Sequence, residues 1–182
     1  MTTKFSKNKI LLVSFVISIA LIIILFSVYF FFRLELKSNI HITQFIIDNR
    51  FAISILSCCS LFINFLLHEF LHAVGWAFFC KKKFRSIIFG FDKNTLIFYC
   101  HCKEMLLRNQ YGIGLMSPLI TLGLLPFCIS LYCNNFVIYL FASVNIVFCA
   151  GDIFIFSKLI KLQNHVRIID SANEVGFTIE VE

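Results

Sequence analysis

The sequence FAISILSCCSLFINFLLHEFLHAVGWAFF, from Phe51 to Phe79, is a 29-residue apolar stretch interrupted by one ionisable cluster. That cluster is His68-Glu69-Phe70-Leu71-His72. A bilayer needs about 20 apolar residues per helix, so a stretch of this length is expected to tilt or to extend past the interface. The sequence therefore predicts a transmembrane helix that carries two histidines and a glutamate at membrane depth.

Three further apolar stretches flank this one, at Ile10–Phe32, about Tyr111–Cys133 and about Phe136–Ser157. The last two are separated only by Asn134 and Asn135, which predicts an antiparallel helical hairpin. The first stretch has 23 uncharged residues, more than the apolar region of a signal peptide, and no small-residue cleavage site follows it. We expect it to be a retained transmembrane helix.

The composition excludes an ordinary soluble domain. Of the 182 residues, 59% are hydrophobic and 14% are charged, whereas a soluble domain has about 25% charged residues. No block of like charge is long enough to suggest a nucleic-acid site, so nucleic acid is not expected among the partners. The fold class predicted is an all-α membrane protein with four transmembrane helices.

Positive charge is distributed unevenly between the two sides of these spans. With the N-terminus inside, thirteen Lys and Arg residues fall in cytoplasmic segments, and three fall in the external segment (Arg33, Lys37 and Arg50). Cytoplasmic loops of membrane proteins carry such an excess. We therefore expect a multi-pass protein of the cell membrane with both termini in the cytoplasm.

The loop between the second and third spans is neither apolar nor helical in pattern. Its β-rich runs, Ser86–Phe91 and Thr95–Cys100, flank the polar turn Asp92-Lys93-Asn94. This pattern predicts a small β-hairpin in a cytoplasmic loop.

Ionisable side chains are rare within the four spans, where His68, Glu69, His72 and Asp152 are the full set. Such groups are costly at membrane depth, so they are expected to face the bundle interior and to have a function. Histidines at i and i+4 share a helical face and can reach one metal ion. The adjacent glutamate lies to one side, where it can take a proton from water. A catalytic zinc needs a third protein ligand and leaves its fourth position to water.

Asp152 is the expected third ligand because it lies at a similar depth. His72 is seven residues before the cytoplasmic end of its span at Phe79, and Asp152 is five residues before Ser157. The alternative is a helix-end carboxylate that pairs with Lys158 or is solvated.

Two other polar groups allow more than one interpretation. Asn145 precedes Asp152 by seven residues and shares its helical face, so it could steady a substrate carbonyl or the oxyanion, or simply link two helices. Cys100-His101-Cys102 could form a metal cluster, but adjacent side chains of a strand point to opposite faces, so we favour a structural role. The eight cysteines show no regular disulfide spacing.

The order of motifs resembles a known family. HEFLHAVGW from His68 to Trp76, the pair Ser117-Pro118, and Asn145 followed by Gly151-Asp152 are similar to the putative zincin peptidases, which are small bacterial membrane proteins. These in turn look like relatives of site-2 protease-type intramembrane metalloproteases. Site-2 proteases usually carry Asp-Gly at the third ligand, whereas this chain has Gly-Asp, as the zincin group does.

The resemblance covers about residue 51 to the C-terminus. It implies Zn²⁺ held by His68, His72 and Asp152, with Glu69 as the catalytic base. It also suggests that the edge of the predicted hairpin receives a substrate strand by β-augmentation. The alternative is a surface loop held on lipid phosphates by Lys81–Lys83.

The chain is expected to have three parts. Residues 1–50 form an N-terminal transmembrane helix and external loop, residues 51–165 a zincin-like membrane core with three transmembrane helices, and residues 166–182 a short cytoplasmic tail.

The leading hypothesis is a membrane-embedded zinc metallopeptidase that cleaves a membrane-associated peptide or protein near the cytoplasmic face. Its expected partners are membrane lipid and that substrate. The alternative from another class is a non-catalytic immunity or partner-binding factor that keeps a structural metal. A metal or proton transporter fits poorly, because one ionisable cluster gives no relay to the outer face.

Overall fold

The computed structural model describes residues 7–32, 48–92, 97–170 and 177–180. Most of these residues are helical, as the composition predicts. The helices are α1 (Lys7–Phe32), α2 (Arg50–Ala77), α3 (Arg108–Pro118), α4 (Leu125–Tyr132), α5 (Phe136–Phe148) and α6 (Ala150–Leu159). A π-helical segment, Leu119–Leu124, joins α3 to α4 into one continuous rod, and a single 3₁₀ turn occupies Lys83–Ser86.

Three helical segments are long and apolar enough to cross a membrane, namely Leu11–Phe32, Arg50–Ala77 and the joined α3–α4 segment Arg108–Tyr132. A fourth crossing results if Phe136–Phe148 and Ala150–Leu159 count as one bent span. Many of their large apolar side chains are exposed, which is the surface that lipid would cover.

The fourth predicted span, at about Phe136–Ser157, is bent in the structure. Helices α5 and α6 meet at an angle of 50°, and the break falls at Cys149, where ψ is 6° rather than helical. The break makes Ala150 the first residue of a new helix and puts Asp152 in its first turn. Carboxylates are favoured there by the positive end of the helix dipole.

The predicted β-hairpin is confirmed. Strands β1 (Ile87–Asp92) and β2 (Ile97–Cys102) pair antiparallel, with Phe89 opposite Cys100. The predicted turn at residues 93 and 94 lies outside the described residues. The hairpin packs along α2, since the ring of Phe98 lies 5.8 Å from that of Phe62.

The structure also contains a three-stranded sheet that the sequence did not predict. Strand β3 (Leu106–Leu107) pairs with β4 (Arg167–Asp170), which pairs in turn with β5 (Phe177–Glu180). Ile168 and Phe177 of this sheet are almost fully buried against the ends of the helices. The region expected to be a short tail therefore contributes to the hydrophobic core.

The segment between α2 and β1 is fixed by Glu104. Its carboxylate accepts hydrogen bonds from the backbone N–H groups of Lys81 and Lys82 at 2.8 and 3.0 Å, and from the Ser86 hydroxyl. The Ser86 hydrogen bond, with those of the two N–H groups, lowers the pKa of Glu104 from its ordinary value. Nearby, burial raises the pKa of the Cys102 thiol to about 12, which suits a structural cysteine.

Helices α2 and α3 cross at very close range through two glycines. A Cβ on Gly75 would lie 2.6 Å from Gly114 Cα, and a Cβ on Gly114 would lie 2.0 Å from Trp76 Cδ1. The hydroxyl of Ser117 lies 2.7 Å from the carbonyl oxygen of Leu71 and bonds the two helices beside this contact. The absence of side chains at the crossing therefore sets the distance between α2 and α3.

Gly114→Ala is expected to destabilise the protein, because the new methyl group overlaps Trp76 and must separate the helices. Overpacking of this kind costs about 1–3 kcal/mol, which a thermal melt in detergent would detect. Gly151→Ala is the matched control, since its Cβ would meet nothing nearer than Ser14 Oγ at 3.9 Å. Equal melting temperatures for the two variants would contradict the close crossing.

Candidate metal centre

Helix α2 presents His68 and His72 on one face, one turn apart. Both residues are buried, with 6% and 5% of their surface exposed. Their Nε2 atoms lie 3.2 Å from each other. The i, i+4 spacing of the sequence motif thus brings two imidazole nitrogens to one point in the interior.

Asp152 reaches the same point from the first turn of α6. Its Oδ2 lies 3.2 Å from His68 Nε2, and its Oδ1 lies 3.6 Å from His72 Nε2. The carboxylate side chain is 17% exposed. The structure therefore brings together the three residues that the sequence predicts as metal ligands.

The tautomer of His72 is fixed by the backbone of α3. His72 Nδ1 lies 3.0 Å from the carbonyl oxygen of Gly114. A carbonyl only accepts hydrogen bonds, so Nδ1 carries a proton, and in the neutral imidazole Nε2 then keeps its lone pair. That lone-pair nitrogen is the one that faces His68 and Asp152. Metal-binding histidines usually have a partner of this kind on their second nitrogen.

The Gly114 carbonyl oxygen can accept a hydrogen bond from outside its own helix because residue 118 is proline. In a regular α-helix this carbonyl would accept the N–H of residue i+4, but Pro118 has none. The carbonyl lies instead within bonding distance of His72 Nδ1 and of the Ser117 hydroxyl, at 3.0 and 2.7 Å. The Ser117-Pro118 pair of the sequence is thereby connected to the histidine motif.

The distances among these candidate ligand atoms are close to those of a zinc site. A tetrahedral ion bound at about 2.0–2.1 Å to histidine and carboxylate ligands separates them by about 3.3 Å. His68 Nε2 lies 3.2 Å from both His72 Nε2 and Asp152 Oδ2, and His72 Nε2 lies 3.6 Å from the other carboxylate oxygen, Oδ1. Two buried imidazoles and a half-buried carboxylate that meet at one point favour a cation between them.

Cys149 is a fourth candidate ligand that the sequence reasoning did not single out. Among the described residues, His68, Cys149 and Asp152 form a group whose ligand atoms all lie within 4.8 Å of one another. Cys149 Sγ is 4.0 Å from His68 Nδ1, the nitrogen opposite the one that faces Asp152. The thiol is thus placed as a neighbour of the His68 ring rather than at the point where Nε2 atoms and carboxylate meet.

Glu69 is half-buried beside this centre. Its carboxylate interacts with the backbone of Cys100 in β2. Cys102, two residues further along the same edge of β2, donates its N–H to Asp170 at 3.2 Å. The outer edge of β2 therefore faces the glutamate of the motif.

Asn145 lies fully buried one helical turn from Cys149. Its Nδ2 donates to the Phe141 carbonyl oxygen at 2.9 Å, and its Oδ1 accepts from Asn64 Nδ2 at 3.0 Å. The pair joins α5 to α2, which is the structural alternative for this residue. Asn64 was not predicted, although its position four residues before His68 puts it on the same face of α2.

Fold and site together define a class: a mostly helical protein whose apolar helices enclose a candidate metal centre of the HExxH type. The model of a family described as "Putative zincin peptidase" matches residues 61–167, which is more than half of the chain. The protein belongs to this family, and the family implies zinc as the metal. No curated protein and no solved structure matches the chain.

Pro118→Ala tests the link between the proline and the metal centre. The new N–H of residue 118 would compete with His72 for the Gly114 carbonyl, so we expect zinc affinity to fall by about 10-fold, the lower end for partners of metal ligands. Chelator competition on purified protein measures the change. Pro126→Ala is the control because Pro126 lies in the first turn of α4, away from Gly114. Unchanged affinity in a folded Pro118→Ala variant would contradict the link.

Proposed function

We propose that this protein is a membrane-embedded zinc metallopeptidase that cleaves a membrane-associated peptide or protein near the cytoplasmic face of the cell membrane. The observation that carries the proposal is the convergence of His68, His72 and Asp152 within 3.2–3.6 Å, beside Glu69, among apolar helices. In this proposal both termini are cytoplasmic, and residues 51–165 form the catalytic core.

The side chains divide the chemistry among them. His68, His72 and Asp152 would hold the zinc, which when bound supplies a Lewis acid that acidifies water and polarises a peptide carbonyl. Glu69 is not one of these proposed ligands and would act as the general base that accepts the proton of the attacking water. It would then deliver the proton to the departing amine nitrogen. A role of Asn145 toward the substrate carbonyl stays a prediction.

The hairpin suggests a route for the substrate. Because the outer edge of β2 faces Glu69, an extended peptide that displaced the contact between Glu69 and the Cys100 backbone and paired with this edge would pass beside the catalytic base. Site-2 protease-type enzymes offer the analogy for such a strand. The exposed Lys81–Lys83 cluster would hold the same segment against anionic lipid phosphates at the membrane surface.

The second candidate function is a non-catalytic membrane protein with a structural metal. Cys149 favours it, since structural zinc sites have four protein ligands and its thiol lies with ligand atoms of His68 and Asp152 inside a group no wider than 4.8 Å. The two functions differ in what they require of Glu69, which is essential to a peptidase and dispensable to a structural site.

Glu69→Gln tests the proposal. The variant is expected to retain about one zinc per chain, as for a site with its ligands intact, and to lose cleavage by a factor of at least about 10²–10⁴. New protein N-termini in membranes of cells that express wild type or variant measure the cleavage, and elemental analysis measures the zinc.

Glu104→Gln provides the matched control, because it makes the same carboxylate-to-amide change outside the metal centre. It should retain cleavage at temperatures where the protein is folded. Identical sets of N-termini from wild type and a zinc-loaded Glu69→Gln variant would contradict peptidase activity and favour the structural metal site.

A further inference from the structure

An aromatic stack extends from the metal centre to the end of the helices. The rings of His72 and Trp76 are 16° from parallel with centroids 5.4 Å apart. Trp76 stacks in the same way on Tyr111, at 5.3 Å and 16°. The indole Nε1–H also donates to the Tyr111 carbonyl oxygen at 3.0 Å. The orientation of the His72 imidazole is thus coupled to the position of Tyr111.

Asp170 of β4 is the polar anchor at the far end of this stack. Its Oδ1 accepts the Tyr111 hydroxyl at 2.8 Å. Its Oδ2 accepts the Cys102 N–H at 3.2 Å and lies 3.1 Å from His101 Nδ1. The side chain is 10% exposed, so both oxygens are engaged in a largely dry environment. A carboxylate with this many donors holds a single orientation and fixes the phenol in turn.

We infer that Asp170 is a positioning residue that sets the His72 imidazole through Tyr111 and Trp76. The inference rests on the proposed role of His72 as a zinc ligand. Small rotations of an imidazole move its lone pair away from a metal, which is why partners of ligands affect metal affinity. Asp170 lies three residues beyond the family match, which ends at residue 167.

The neighbouring residues allow this role to be separated from folding of the sheet. Ile168 and Phe177 bury the sheet against the helices, and the Phe177 ring lies 6.0 Å from that of Tyr111. Thr178 donates to the Ile169 carbonyl oxygen at 3.2 Å, a side-chain hydrogen bond of the same sheet. Thr178→Val therefore perturbs β4–β5 while it leaves the Asp170–Tyr111 contact in place.

Trp76 is the single tryptophan of the chain, so its fluorescence reports the stack directly. The experiment compares Tyr111→Phe, Asp170→Ala, the double variant and Thr178→Val. We expect each of the first two to change Trp76 emission and to weaken zinc binding by about 10-fold. The double variant should match Asp170→Ala, because the Tyr111 hydroxyl has already lost its acceptor in that variant. Thr178→Val should match the wild type in both readouts.

Wild-type emission and zinc affinity in a folded Tyr111→Phe variant would overturn the inference. That variant removes only a hydroxyl, so it remains decisive if Asp170→Ala fails to fold. Additive effects in the double variant would overturn it as well. A wild-type protein that binds no zinc would instead refute the proposed function, and emission from metal-free protein would still test the link from Asp170 to Trp76.

Discussion

The missing N–H of Pro118 is the constraint on which the metal centre depends. It leaves the Gly114 carbonyl without its helical partner, at a point where Gly75 and Gly114 let two helices touch. A carbonyl buried at such a crossing needs a donor, and His72 Nδ1 lies 3.0 Å away. The bond settles the tautomer of the imidazole, so that Nε2 is directed toward His68 and Asp152.

The cost of burying charged groups among apolar helices also favours the assembly of this centre. An isolated carboxylate or imidazole in hydrocarbon is costly, and this cost falls when the groups meet one another or share a cation. The bend at Cys149 brings Asp152 to the histidines, and the Asn64–Asn145 pair joins the helices that carry them. The two buried histidines of α2 and Asp152 thereby meet at a single centre.

The features that depend on local geometry could be predicted from local sequence patterns. The i, i+4 histidines needed only a helix to share a face, and the hairpin followed from two β-rich runs. Asp152 could be predicted from its depth because both helices were expected to leave the bilayer on one side. These features depend on composition and helical period, which the sequence displays directly.

Features that depend on tertiary packing could not be predicted in the same way. No proline marks the bend at Cys149, and the two-residue strand β3 is too short to have a periodicity. The contacts of Asp170 join residues 59 and 69 positions apart along the chain, to Tyr111 and His101. Pro118 was visible in the sequence, but its effect on Gly114 becomes apparent only when α2 lies beside α3.

X-ray absorption at the zinc edge of the purified wild-type protein identifies the atoms bound to the metal. Zinc held by His68, His72 and Asp152 is expected to show nitrogen and oxygen scatterers at about 2.0–2.2 Å, with the multiple scattering of two imidazoles and no sulfur shell. A sulfur scatterer at about 2.3 Å would show that Cys149 binds the metal and would contradict the His68–His72–Asp152 centre. Purified protein without zinc would contradict it altogether.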